Sequence, residues 1–306
     1  MKILCITPIK HLDGIYEHLC SFGPVTYLPN LNKAQIQKLE LSNYNVIFCN
    51  PNKQNFLLDS ETLKNFKGAI LTASTGLNHI DCNFCDKNNI KILSHKNDHD
   101  ELLKKLPSTA ELAFALMSSM VRNIPSSFSD VKKGNWNYDE HMGHQLKDKV
   151  IGIIGHGRLG SMMDTYCQAF GMKTIIHDPP KQKNNLQKIL DNAEIISLHV
   201  HVDKNTKNMI NSDFLNKIKN NCYIINTSRG EIVNEQDIVE SLESGLLKGY
   251  ATDVITDEYG DRNKSPILKG VKCGLNIIVT PHVGGMTWEG QKKAYKWSID
   301  KLYKLK

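Results

Sequence analysis

Three residues in the last third of the chain have the side chains that a carbonyl-reducing site needs: Arg229, Glu258 and His282. A ketone that accepts a hydride becomes an alkoxide and requires a proton, and imidazole titrates near the pH at which enzymes work. A carboxylate beside the imidazole would fix its tautomer and raise its pKa. A guanidinium can hold a substrate carboxylate or polarise the carbonyl. Taken singly, each has a plainer reading: an arginine closing a strand end, a solvated glutamate, a satisfied loop histidine. Taken together, they follow three successive apolar runs, 222–226, 249–254 (which carries Asp253) and 276–279. Ligands of open parallel sheets bind outside the carboxyl ends of the strands, so the three side chains are expected to converge on one cleft.

A second cluster lies upstream. Gly155-His156-Gly157-Arg158-Leu159-Gly160 is a G-x-G-x-x-G motif, a weak signal alone. Here it follows the apolar run 149–154 and opens a helical stretch from Ser161 to Phe170, which is the context the mechanism demands. The first glycine makes the tight turn, the second lets backbone approach a pyrophosphate, and the third allows close helix–strand packing. The next apolar run, 173–177, ends at Asp178, 23 residues beyond Gly155. A carboxylate there accepts hydrogen bonds from ribose hydroxyls and repels a 2′-phosphate, which predicts NAD as the cofactor rather than NADP.

The elements that must position these residues alternate from end to end. Candidate strands are 2–6, 45–49, 68–73, 90–93, 149–154, 173–177, 194–198, 222–226, 249–254 and 276–279, with helical patterns between most of them. This predicts an α/β protein with parallel sheets covered on both faces. Pro107 suits the start of a long helix whose apolar residues run from Ala113 to Met120. Pro125 is expected to break it, with a second helix to about Gly134 and a polar connection over 134–148.

Composition narrows the function classes. A chain of 306 residues fits two domains, and 23% charged with 40% hydrophobic residues is ordinary for a globular protein. The opening apolar run, Ile3 to Ile6, is too short for a signal peptide, and no stretch approaches the roughly 20 apolar residues of a membrane helix. A cytoplasmic protein with no membrane partner is expected. Net charge is +6, but the lysines and arginines are spread out, with a mild cluster in the last helix. No nucleic-acid partner is expected, since such binders concentrate their basic residues. Eight scattered cysteines suit a reducing compartment. Cys82-x-x-Cys85, even with His79 nearby, lacks a second ligand pair; it reads as two small side chains on a short helix, and no metal is expected.

The ordered segments Ser74–Asp81, Gly155–Gly160 with Asp178, Asn226–Gly230, Gly249–Val254 and Thr280–Gly285 resemble those of the D-isomer-specific 2-hydroxyacid dehydrogenases. That family includes phosphoglycerate dehydrogenases and glyoxylate/hydroxypyruvate reductases. The resemblance covers almost the whole chain. It implies two doubly wound parallel-sheet domains: a Rossmann NAD domain over 103–286, inserted in a flavodoxin-like substrate domain made of 1–102 and 287–306. It implies hydride transfer between nicotinamide and C2 of a small 2-hydroxy/2-oxo acid, with phosphorylated acids such as 3-phosphoglycerate among the options. His282 would be the acid/base, Glu258 its partner and Arg229 the substrate anchor. Gly155, Gly157, Arg158, Leu159 and Gly160 would meet the pyrophosphate, and Asp178 the ribose. Thr227, Asp253, His282 and Gly284 would also bind the cofactor, Asp253 near the nicotinamide carboxamide. The backbone of Thr75 and Gly76 would cradle the substrate carboxylate, with Asn52 and Lys53 on a second substrate loop.

Three positions depart from the family pattern: His201 and Tyr259 stand where proline is usual, and Asn234 where aspartate is common. The resemblance further implies a homodimer joined through the NAD domain, for which helix 108–122 and the segment with Trp136, Tyr138 and Met142 offer surface. It also implies the absence of the C-terminal regulatory domain of longer phosphoglycerate dehydrogenases. The competing reading is an NAD(H)-binding sensor that kept the fold without turnover. A methyltransferase on a similar sheet is disfavoured by the complete glycine motif with its downstream acid.

Overall fold

The structure, a computed structural model, describes residues 1–51, 56–96, 105–258 and 260–305. The chain divides into two compact units, Met1–Leu103 with Met286–Lys306, and Lys104–Gly285.

The first unit is built on five parallel strands: β1 (Ile3–Cys5), β2 (Val25–Tyr27), β3 (Val46–Phe48), β4 (Ala69–Leu71) and β5 (Lys91–Leu93). Their order in the sheet is β2-β1-β3-β4-β5, the flavodoxin-like arrangement. Successive residues point to opposite faces, so Leu4 and Ile47 pack on one side with Leu63 and Ile70, while Ile3, Cys5 and Phe48 pack on the other with Leu19, Tyr295 and Ile299. The helix Trp288–Asp300 belongs to this second face.

Strand β2 is absent from the sequence expectation. It is three residues long, bracketed by Pro24 and Pro29, and only half-buried at the sheet edge. Prolines are tolerated at an edge, and half-burial removes the continuous apolar signal.

The second unit has six parallel strands: β6 (Val150–Ile154), β7 (Lys173–His177), β8 (Ile195–Leu198), β9 (Cys222–Asn226), β10 (Leu247–Thr252) and β11 (Ile277–Val279). They run in the order β11-β10-β9-β8-β6-β7. Helices cover both faces, which is why β9 reads as an unbroken apolar run: Cys222 and Ile224 enter one core, Tyr223 and Ile225 the other. Just past β7 the chain forms one isolated antiparallel bridge, between Asp178 and Lys183. The direction of winding reverses between β6 and β8, which opens the switch-point crevice.

Two sequence expectations need correction. The run 249–254 forms its strand two residues earlier, at Leu247–Thr252, so Asp253 lies just past the strand end. The long helix does not break at Pro125. It spans Ser108–Val121 and ends before Asn123, whose left-handed conformation (φ 52°) starts the next helix. Pro125 sits in the first turn of that helix, Ile124–Lys132, where its missing N–H costs nothing.

Candidate active site

At the end of β6, Gly155 takes φ +88°, and a Cβ there would come within 2.6 Å of the His199 carbonyl oxygen. A Cβ on Gly160 would lie 2.0 Å from the Gly155 carbonyl oxygen, so the helix Arg158–Ala169 can approach the turn only over a glycine. Gly157 differs: nothing lies within 4 Å of its missing side chain. The protein's own packing therefore does not demand a glycine at 157, whereas a group seated against that backbone would. No side-chain hydrogen bond comes from the N-cap Gly157, which leaves first-turn amides such as that of Leu159 facing the same space. The Arg158 guanidinium itself donates to the Leu106 carbonyl at 2.6 Å.

Asp178 is buried at the end of β7, and its carboxylate accepts the His156 N–H at 2.9 Å, tying β7 to the glycine turn. Two lysines stand nearby: Lys181 donates to the His156 carbonyl, and Lys183 Nζ lies 3.4 Å from His156 Nδ1.

Among the described residues, three buried polar atoms on this edge have no hydrogen-bond partner: Nδ1 of His177, Nδ1 of His199 and Oγ1 of Thr227. They end or follow β7, β8 and β9 in turn. Leaving such an atom unpaired costs about 1–3 kcal/mol, so folded proteins seldom keep one without a reason. Together with the open space at Gly157, they fit a polar ligand laid across the strand ends, as a dinucleotide would be. His177 and His199 were not singled out in the sequence. The available signal was an ionisable residue at the carboxyl end of an apolar run, the same signal that pointed to Arg229 and His282. Burial holds the His199 imidazole down to about 4, so it stays neutral; its Nε2 lies 2.8 Å from Ser197 Oγ.

The loop after β9 is stitched in place. Asn226 accepts the Ser228 N–H at 3.0 Å and donates to the Arg229 carbonyl at 2.9 Å, while Ser228 Oγ donates to Leu198 at 2.6 Å. This frame projects Arg229, whose guanidinium donates to the Ser228 carbonyl at 2.7 Å. Among the described residues, no carboxylate pairs with it.

Asp253 organises the last loop. Its carboxylate accepts from Thr280 Oγ1 at 2.5 Å and from the N–H groups of Val283 and Gly284 at 2.8 and 2.7 Å; its carbonyl accepts the His282 N–H at 2.9 Å. Burial raises the Asp253 pKa, and these hydrogen bonds oppose the rise. The cage holds His282 at φ +54°, a left-handed conformation that a non-glycine residue adopts at a cost of about 1–3 kcal/mol. That conformation presents His282 Nδ1 to Glu258 Oε2 at 2.6 Å. An ionised carboxylate only accepts, so Nδ1 carries the proton of this bond and Nε2 is left for chemistry. The hydrogen bond to Glu258 raises the His282 pKa; burial and the nearby charge of Arg229 pull it back.

Arg229, Glu258 and His282 thus sit together on the edge that carries the glycine turn. Thr75 and Gly76 are in the other unit, in the loop after β4. There the Ala73 N–H is taken by Asn50 at 2.7 Å and the Ser74 N–H by Thr72 at 3.3 Å. Among the described residues, the N–H groups of Thr75 and Gly76 donate to no protein acceptor, which leaves the pair open to an anion as a candidate nest. Asn52, Lys53 and Tyr259 lie outside the described residues. Of the two remaining departures, Asn234 caps the helix Glu235–Glu243 by accepting from Gln236 and Asp237, as an aspartate would. His201 is exposed, and its carbonyl accepts from Thr206. Cys82 and Cys85 share the short helix Cys82–Lys87, and Cys85 is buried. No helix among the described residues is long and apolar enough to cross a membrane.

Residues 114–284 match the family profile of the D-isomer specific 2-hydroxyacid dehydrogenase, NAD binding domain. The hydroxypyruvate reductase of Thermotoga maritima is 32% identical over 256 residues, covering 80% of this chain and 79% of that protein. The D-3-phosphoglycerate dehydrogenase of Bacillus subtilis is 33% identical over 229 residues, 72% of this chain but only 41% of that longer protein. In fold, the chain superposes on an NAD-dependent formate dehydrogenase from Staphylococcus aureus, solved with NAD. The TM-score is 0.82 at 24% identity, covering 100% of this chain and 95% of that one.

Proposed function

This chain belongs to the D-isomer specific 2-hydroxyacid dehydrogenase family, and on that premise we propose that it reduces a small 2-oxo acid to the 2-hydroxy acid, reversibly, with NAD(H). When bound, the cofactor supplies or accepts the hydride. The turn Gly155–Gly160 would hold its pyrophosphate, Asp178 its adenosine ribose, and the unpaired atoms of His199 and Thr227 its nearer polar groups. Arg229 anchors the substrate through a guanidinium that no carboxylate among the described residues neutralises. In the reductive direction, the alkoxide oxygen formed at C2 takes the proton from His282 Nε2, and the imidazole becomes neutral. Glu258 holds Nδ1 throughout and stabilises the protonated imidazole before transfer. In oxidation the same nitrogen accepts the hydroxyl proton.

The observation that carries this reading is the 2.6 Å contact between His282 and Glu258, held on a left-handed residue that Asp253 cages. Such strain persists only where the surroundings enforce it, and it concentrates at functional sites. The relatives named for phosphoglycerate and hydroxypyruvate support 3-phosphohydroxypyruvate and hydroxypyruvate as the first substrates to try. The test is loss of NADH absorbance with glyoxylate, hydroxypyruvate, 2-oxoglutarate and 3-phosphohydroxypyruvate. Turnover of at least one is expected; NADH binding without turnover of any would make the chain a sensor instead.

A second copy of the chain is the proposed partner. Phe128, Trp136, Tyr138 and Met142 are 65, 81, 78 and 76% exposed, four large apolar side chains that a partner surface would cover. Trp136 and Tyr138 also line a cavity of about 480 Å³ with Arg122 and His141. Light scattering is expected to report a dimer, and Trp136→Glu a monomer; a monomeric unchanged protein would contradict this.

A further inference from the structure

The five-stranded sheet carries a polar network at its carboxyl edge that neither the hydride chemistry nor cofactor binding uses. Tyr295, on the helix Trp288–Asp300, is buried, with its hydroxyl beside the side chains of Thr7 and Asn50, which follow β1 and β3. Asn50 Oδ1 in turn accepts from Thr72 Oγ1 at 3.0 Å and from the Ala73 N–H at 2.7 Å. His79 Nε2 lies 3.2 Å from Thr72 Oγ1 and 3.3 Å from the Cys49 carbonyl. On the other side of Thr72, Ser298 Oγ donates to the Thr72 carbonyl at 3.1 Å.

Proton bookkeeping fixes the directions. Thr72 has one O–H and gives it to Asn50, so His79 must donate from Nε2 to Thr72 and Cys49. That tautomer leaves Nδ1 bare, in agreement with its being buried without a partner. The consequence reaches the loop that follows. The network occupies the N–H groups of Ala73 and Ser74, and the His95 N–H occupies the Ser74 carbonyl at 3.2 Å. The loop is thereby pinned residue by residue up to the point where the unclaimed amides of Thr75 and Gly76 begin.

We infer that Tyr295 and His79 are positioning residues for that candidate nest: Tyr295 backs Asn50 from the last helix, His79 clamps the loop after β3 to the loop after β4, and together they aim the Thr75 and Gly76 amides. This rests on the reading of the nest as the cradle of a substrate carboxylate. The carboxylate is bound alike in the ground and transition states, so misaiming its cradle raises KM and leaves kcat in place.

The test uses Tyr295→Phe, which removes only the hydroxyl, with His79→Leu, which removes the donor, and His79→Gln, which returns an N–H. KM and kcat are measured with the best 2-oxo acid of the panel, together with the affinities for oxamate and NADH. His79→Leu is expected to raise KM and weaken oxamate by about tenfold, as for loss of one or two buried hydrogen bonds, with kcat and NADH affinity nearly unchanged. His79→Gln should recover most of the loss, and Tyr295→Phe should raise KM by a smaller factor. If His79→Leu does not fold, Tyr295→Phe and His79→Gln carry the test. Unaltered KM in the variants, with the unchanged protein active, would overturn the inference and leave the dehydrogenase reading standing. A parallel fall in kcat, NADH affinity and melting temperature would mean that the network only supports the fold, and would also overturn it. No turnover and no oxamate binding by the unchanged protein would overturn the reading of the nest together with the inference.

Discussion

Each unit winds outward from a switch point, between β1 and β3 in one and between β6 and β8 in the other, yet the two crevices are finished in opposite ways. In the first unit, Tyr295 is buried beside Thr7 and Asn50, and Asn50, Thr72 and His79 bond to one another, with His79 Nδ1 left bare. In the second, the corresponding edge has open space at Gly157, unpaired atoms on His177, His199 and Thr227, and a charged cluster of Arg229, Glu258 and His282. One topology therefore serves two ends. A neutral network that is mostly closed gives rigidity, and a cluster of unsatisfied and ionised groups gives a place for ligand and chemistry.

The largest effect that separates the two edges should come from His282. His282→Asn should lower kcat by the ~10²–10⁴-fold typical of a general acid–base group, while NADH affinity holds. Near-full activity with a good 2-oxo acid would remove the distinction between a chemical and a structural edge. Arg229→Lys should cost about 10–100-fold in kcat/KM, because lysine cannot reproduce the planar fork of donors. An effect confined to NADH affinity would move Arg229 out of the substrate site.

Cofactor choice sharpens the contrast on the open edge. NAD(H) should be preferred, and Asp178→Ser should shift the NADPH-to-NADH ratio of kcat/KM by about tenfold or more. The change removes a carboxylate that repels a 2′-phosphate, and Lys181 and Lys183 already stand beside it. An NADP(H) preference in the unchanged protein would contradict the role given to Asp178.

The smallest effect is shared by both edges. Each unit buries a histidine whose pKa burial lowers to about 4, His79 in one and His199 in the other. An unfolded histidine titrates near 6.5 and takes up its proton first as the pH falls. The stability tied to these two residues is therefore complete above about pH 6.5 and drains as pH falls towards 4. Melting temperature should decline across that window, and less steeply in His79→Gln. A flat profile in the unchanged protein would show that the two imidazoles are not buried in their neutral form.

Long-range order was legible in the sequence where periodicity carried it. Nine of the strands correspond to apolar runs within a residue or so, and β10 to one displaced by two residues. Edge strand β2 escaped because three half-buried residues between prolines carry no period. The helix break was misplaced because proline is a louder signal than an asparagine that turns left-handed. In the site, ionisable residues at strand ends stood out, and the contact between Glu258 and His282 follows from adjacent strands in one sheet. The closed network was invisible for a different reason. Tyr295 and Ser298 sit on the buried face of an amphipathic helix, where they look like ordinary core, and His79 drew notice only as a neighbour of two cysteines. Which atoms pair across four loops depends on tertiary placement and leaves no spacing in the chain.

The central claim is that Glu258 raises the His282 pKa, so that a protonated imidazole donates during reduction. The direct measurement is the pH dependence of kcat/KM for reduction in the unchanged protein and in Glu258→Gln. The rate should fall as pH rises through the His282 pKa. Without the carboxylate the imidazolium is less stable, so the fall should begin at lower pH in the variant. Coincident profiles, or a fall displaced to higher pH in Glu258→Gln, would contradict the account.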